Sequence, residues 1–267
     1  MRSLCIVIPA YNEENRIGIT LEEYGKYFEE KKKKEEIGDY KILIVLNACK
    51  DNTIGVVRNN EKKNKNIIHI EFEQGGKGFA VTEGFKFAIE KKFDLIGFVD
   101  ADMATPPEAF YDLARKIGNA DGIIANRWHK DSNIKIKQTP ARILLSRGGN
   151  FIIHSMFLLK YQDTQCGAKL FTREMLEKVV PKLGASEWSF DIDLLFYLRR
   201  EKAEIKSIPT TWEDKKDSKI NLKKAPMKTL FSVMRLRLVH SPFRFIIRAH
   251  SKLPEKWKVG SIINRMK

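Results

Sequence analysis

Asp94-Leu95-Ile96-Gly97-Phe98-Val99-Asp100-Ala101-Asp102 is a short apolar run that ends on two carboxylates. A brief, unbroken apolar stretch bounded by polar residues reads as a strand buried on both faces. Such strands belong to parallel sheets clad by helices, and ligands of these sheets gather beyond the carboxyl ends of the strands. Asp100 and Asp102 therefore fall on a binding rim. Carboxylates at i and i+2, just past a strand and off its regular pleat, can converge on one hard cation. Mg²⁺ or Mn²⁺ takes such oxygen ligands and leaves its other positions to water or phosphate. A lone Asp-x-Asp is more often only a polar loop; the strand that delivers this one sets it apart.

The flanking sequence repeats the pattern. Residues 3–8 read as a buried strand ended by Pro9, and residues 14–34 as a helix with Ile17, Leu21, Tyr24 and Phe28 at spacings of three and four. Strands are expected at Tyr40–Leu46, Asn66–Phe72 and Ala120–Asn126. Helices are expected over Asp51–Asn64, with Asp51 near the N-cap, from Gly75-Gly76-Lys77-Gly78 to about Lys91, and from Pro106-Pro107 onward. The alternation predicts an α/β fold, a mostly parallel sheet with helices on both faces. Two further polar clusters, Tyr11–Glu14 and Asn47–Asp51, follow strands and join the same rim.

A chain of 267 residues with 43% apolar side chains suits one large α/β domain with a small appendage. The uncharged stretch Gly148–Leu159 is far shorter than the roughly 20 apolar residues that cross a bilayer. It reads equally as a buried helix or as one that dips to a bilayer face. The N-terminus enters a strand without a signal-peptide pattern. Cys5, Cys49 and Cys166 are an odd number, lie far apart and predict a reducing compartment. Of the formal net charge of +15, most sits in residues 219–267, where 13 Lys/Arg face a single acid, Glu255. Residues 1–218 are thus expected to form the catalytic body. Residues 219–267 form a basic amphipathic helical tail, its charges interleaved with Leu230, Phe231, Val233, Met234, Leu236, Phe243 and Ile246. That mixture suits an anionic membrane surface, with nucleic acid and a core-packing helix as rivals. Nucleic acid leaves the Asp100–Asp102 pair unexplained and is not expected.

Ile6 through Glu14, Gly76-Lys77-Gly78 and Asp100-Ala101-Asp102, in this order and spacing, resemble the family-2 glycosyltransferases of GT-A fold. Asp163 through Arg173, Trp188 through Leu195, and Trp212 with Ser218-Lys219 resemble their dolichyl-phosphate β-glucosyltransferase branch. The resemblance implies an inverting transfer of glucose or a related hexose from a UDP- or GDP-linked sugar to dolichyl or polyprenyl phosphate. It further implies dependence on Mg²⁺ or Mn²⁺ and a peripheral place at the cytoplasmic face of a membrane. A saccharide acceptor in surface-polysaccharide synthesis is the alternative. By the same resemblance Pro9, Ala10, Tyr11 and Glu13 line the nucleotide. Asp100, Ala101 and Asp102 contact nucleotide and metal, with Asp102 the direct ligand. Arg127 faces a phosphate, although Asn126 replaces the usual serine. Lys219 reaches the diphosphate, and Asp193 stands at the position of a proposed base. Asn47 replaces the carboxylate that usually contacts base or ribose, which bears on the choice of donor; an amide can both donate and accept.

Other residues have plainer readings. Gly75–Gly78 lacks the spacing of a P-loop or dinucleotide loop, so Lys77 is a phosphate ligand or a surface lysine on a turn. Asp191 and Asp193, two apart on a helix, cannot both face the site. Cys166 reads as a packed small side chain, His154 as a core or interface histidine, and Trp188 equally as groove wall or core.

Overall fold

The computed structural model describes residues 1–134, 148, 150, 153–184, 190–213, 233–234, 236–238 and 241. Along the first half, strands and helices alternate: β1 (Leu4–Ala10), α1 (Ile17–Lys33), β2 (Tyr40–Asn47), α2 (Thr53–Lys63), β3 (Ile67–Phe72), α3 (Lys77–Glu90), β4 (Leu95–Phe98), α4 (Pro107–Lys116) and β5 (Gly122–Asn126). There follow β6 (Asn133–Ile134), β7 (Lys169–Thr172), α5 (Arg173–Val179), a 3-10 turn (Val180–Lys182), α6 (Phe190–Arg200), β8 (Ile205–Pro209) and β9 (Thr211–Trp212).

Among the described residues seven strands form one sheet in the order β3-β2-β1-β4-β7-β5-β8, and β6 pairs with β9 in a small second sheet. Strand alternation explains why the sheet is buried on both sides. Leu4, Ile6 and Ile8 of β1 pack with Ile42, Ile44 and Leu46 of β2 under α1 and α4. Their neighbours Cys5, Val7, Leu43 and Val45 pack on the opposite face with α3, α5 and α6. The helix stripe Ile17, Leu21, Tyr24 and Phe28 is wholly buried, as its spacing predicts.

Two element boundaries differ from the expectation. β1 does not stop before Pro9 but runs on to Ala10, with Pro9 opposite Val45. Leu4 N donates to Asp39 O on the β2 side, so by alternation Pro9 faces the β4 side. There the pairing has ended at Val7–Phe98 and no N–H is required. Helix α2 begins at Thr53 because Asp51 Oδ1 accepts from Thr53 N at 3.1 Å and from Thr53 Oγ1 at 2.5 Å, closing a turn before the helix.

The parallel order is interrupted at one place. β7 runs antiparallel between β4 and β5. Its incoming end, residues 163–168, therefore arrives at the same rim as the carboxyl ends of β4 and β5. The basic tail lies mostly outside the described residues. Within it Val233 and Leu236 are buried in the core on the α3, α5 and α6 face, while Met234 is exposed. No helix among the described residues is long and apolar enough to cross a membrane. The Lys31–Lys34 cluster is a solvated face with carboxylate partners, among them Glu36, Asp39 and Glu30.

Candidate active site

The rim is assembled by three loops that hold one another. After β1, Asn12 adopts φ 54° and its Oδ1 accepts from Lys50 N at 2.7 Å. Glu13 N donates to Thr53 Oγ1 at 2.8 Å, and Asp51 Oδ2 accepts from Glu14 N at 3.2 Å. Asn47, at the end of β2, is 2% exposed. Its amide donates to Ala10 O at 2.7 Å and its carbonyl accepts from Gly76 N at 3.1 Å. Both ends of this side chain are thus used to tie the β1 loop to the glycine turn before α3. Asn47 is therefore a structural clip between two loops of the rim. Glu13 is likewise engaged, its carboxylate gripping Arg16 through bonds of 2.6 and 2.7 Å. Pro9 and Ala10 lie beneath the rim, and Tyr11, 49% exposed, stands over it as an open aromatic face.

The acidic pair is held from several sides. Val99 N donates to Val7 O at 3.0 Å, and Ala101 O accepts from Thr20 Oγ1 of α1 at 2.7 Å. Asp102 Oδ1 accepts from Ala104 N at 3.0 Å across Met103, whose φ is 59°. Burial, and then the charge of Asp100, raises the Asp102 carboxyl above its ordinary value. A like-charged pair in this state is the arrangement that a divalent cation relieves, so the residues present fit Mg²⁺ or Mn²⁺. Among the described residues no group of three or more His, Cys, Asp or Glu is arranged to hold a metal ion.

Cations surround the pair. Lys77 Nζ meets Asp100 Oδ1. Desolvation would lower the Lys77 ammonium, but Asp100 and then Asp191 hold it above its ordinary range. Arg127 directly follows β5, and beside it Asn126 Oδ1 accepts from Trp128 N at 2.9 Å. Burial alone would lower the guanidinium; Asp163 outweighs it and keeps Arg127 charged.

Of the two aspartates in α6, the structure brings Asp191 to the rim. Its Oδ1 lies 2.5 Å from Lys169 Nζ, and it acts on Lys77. Asp193 is 1% exposed and accepts from Gly184 N at 2.8 Å. Lys219 and Trp188 lie outside the described residues. Cys166 is fully buried, and burial pushes its thiol up to about 11, which suits a packing role. His154 Nε2 meets Tyr161 O.

Sequence reasoning took Lys169, Asp163 and Gly167 only as parts of the Asp163–Arg173 motif and gave none of them a role. Lys169 is 0% exposed in β7, bonded to Cys166 O at 2.6 Å. A lysine inside the apolar run Ala168–Phe171 was the available signal, because a buried ammonium requires a carboxylate partner. Gly167 lies against Asp100: a Cβ there would stand 2.0 Å from Asp100 Oδ2.

A family model, glycosyl transferase family 2, matches residues 5–180. A dolichyl-phosphate beta-glucosyltransferase of Dictyostelium discoideum is 31% identical over 267 residues, covering 97% of this chain and 77% of the relative. One from Trichomonas vaginalis is 33% identical over 223 residues, covering 81% of this chain; the chain spans 65% of that relative's length. Among solved structures, glucosyl-3-phosphoglycerate synthase from Mycobacterium tuberculosis in complex with UDP superposes with a TM-score of 0.61 at 14% identity, over 88% of this chain and 80% of that one. The same enzyme with Mn²⁺, UDP and glucosyl-3-phosphoglycerate gives 0.61 at 15% identity, over 89% and 79%. At such identity the structural likeness speaks for the fold.

Proposed function

The chain belongs to glycosyl transferase family 2, and from that premise we propose that it transfers glucose from a nucleotide sugar to dolichyl phosphate or a related polyprenyl phosphate. The observation that carries this reading is the Asp100–Asp102 pair at the end of β4, with Lys77 and Arg127 close by. The names of the curated relatives support glucose and the lipid phosphate. The UDP complexes of the structural neighbours support a UDP-linked donor, with GDP as the other candidate.

In the reaction the bond from the anomeric carbon to the diphosphate breaks, and the nucleoside diphosphate departs with the electron pair. An acceptor phosphate oxygen attacks from the opposite face, which inverts the centre. Asp100 and Asp102 would hold Mg²⁺ or Mn²⁺, which when bound neutralises charge on the leaving diphosphate. The open face of Tyr11 suits stacking of the base. Asn47 and Asp163 act indirectly, by fixing the glycine turn and Arg127. Arg127 adds preorganised positive charge where negative charge develops. A phosphate monoester is already ionised near neutral pH, so no side chain has to take a proton from it. The buried Asp193 then serves the fold rather than base catalysis.

The basic segment 219–267 would draw the chain to the anionic cytoplasmic face of a membrane, where the acceptor resides. The test is incubation of the full chain with polyprenyl phosphate and radiolabelled UDP- and GDP-sugars, with and without Mg²⁺, beside sedimentation with anionic vesicles. The expected result is metal-dependent label in the lipid fraction and salt-sensitive co-sedimentation. Label appearing only in free saccharide acceptors would replace this reading with the polysaccharide alternative.

A further inference from the structure

Lys77 is the first residue of α3, directly after Gly76, whose φ of 116° and ψ of 125° swing the chain into the helix. Its ammonium meets Asp100 Oδ1 and lies 5.8 Å from the centroid of the Phe98 ring. The same ring takes Lys169 Nζ at 5.2 Å, and Lys169 is paired with Asp191. Two lysines and two aspartates thus surround one phenylalanine at the foot of the acidic loop.

The two lysines differ in freedom. Lys169 is enclosed and bonded to Cys166 O and Asp191. The Lys77 side chain is 40% exposed and bends over the rim on its four-carbon stem. Asp100 also has one crowded side. Its Oδ2 lies so close to Gly167 that a Cβ there would not fit, while Lys77 approaches from the side of Oδ1. That oxygen is the one Lys77 holds.

We propose that Lys77 is an internal counter-ion for Asp100. It neutralises the acidic loop before a divalent cation binds, is displaced from Oδ1 when one does, and then turns its charge to the diphosphate of the donor. Asp191, fixed by Lys169, keeps the released ammonium at the rim. The inference rests on the metal-dependent reading above and adds a competition within the site: lysine and divalent ion exclude each other at Asp100.

Mn²⁺ titrated into the full-length, nucleotide-free protein, with free ion read by electron paramagnetic resonance, tests this. Lys77→Met should bind Mn²⁺ about tenfold tighter than wild type, since a like charge at contact distance has been removed. With UDP present that advantage should vanish. Lys77→Arg should stay near wild type, and Lys86→Met, nine residues further along α3, should leave the affinity unchanged. Wild-type protein gives a readout that no folding defect can confuse. Acylation of Lys77 by an amine reagent, measured by mass spectrometry, should rise severalfold when Mn²⁺ is added without nucleotide. Unchanged or weaker Mn²⁺ binding by a folded Lys77→Met protein, or labelling indifferent to Mn²⁺, overturns the inference while the metal-dependent reading stands. Failure of wild type to bind Mn²⁺ even with UDP removes both.

Discussion

Arg127 and Asp163 are bonded at three points: Arg127 Nε to Oδ2 at 2.7 Å, Nη2 to Oδ1 at 2.9 Å and the Arg127 backbone N to Oδ2 at 3.0 Å. Asp163 is wholly buried, and the guanidinium packs 5.3 Å from the Trp212 ring and 5.9 Å from that of Trp128. This fork joins the exit of β5 to the entry of β7 and fixes the orientation of the arginine.

Asp163→Asn leaves a buried guanidinium without its counter-charge, a loss of about 3–5 kcal/mol. Calorimetry should show a melting temperature lowered by roughly 6–20 °C. Burial opposes ionisation of Asp163, but Arg127 outweighs it and holds the carboxyl below its ordinary 3.8. The stabilisation is therefore complete above pH 3.8 and disappears only as pH falls through the lower folded-state value. Acid unfolding curves of the Asn variant should lack that portion of the wild-type slope.

Asp102→Asn should lower glucosyl transfer by about 100-fold or more, through loss of a cation ligand. Its effect on the metal-free fold runs the other way. Burial and Asp100 raise the Asp102 carboxyl, so its contribution favours folding below the ordinary 3.8 and is lost as pH rises through the raised value. At pH 7 the variant should melt above wild type without metal, and the order should reverse when Mn²⁺ and UDP are added.

Asn47→Asp retains an acceptor for Gly76 N but sets a carboxylate oxygen against Ala10 O, where the amide now donates. The unmatched buried contact should lower stability by about 1–3 kcal/mol in denaturant titrations. Because the displaced loops carry the rim, KM for the donor should rise more than kcat falls.

Gly167→Ala tests close packing rather than charge. The added methyl would overlap Asp100 Oδ2, so the carboxylate must rotate away. Turnover and Mn²⁺ affinity should each fall about tenfold or more, since catalysis depends on ångström placement, with the melting temperature changed by only a few degrees.

The strands and helices through β5 were legible because their periodicities are strong. Leu95–Val99 and Tyr40–Leu46 are buried on both faces and could be little else. The acidic pair was legible for the same reason, as it directly follows such a strand. What the sequence hid depends on distance in three dimensions. Nothing local indicates that Asn47 spends both ends of its amide on Ala10 and Gly76. Nor does spacing show that Asp191 pairs with Lys169 arriving from β7 while Asp193 accepts from Gly184 N. The antiparallel β7 escaped for a related reason: a four-residue strand running straight into a helix leaves no sign of its direction.

That strand has a consequence for biosynthesis. β4 and β5 meet only through β7. A nascent chain that has completed five strands therefore leaves β4 with an unpaired edge and β5 with no strand partner until residue 172 has left the ribosome. Translational pausing or premature termination between residues 126 and 169 would release a species prone to self-association, whereas the finished sheet closes that seam in a single step.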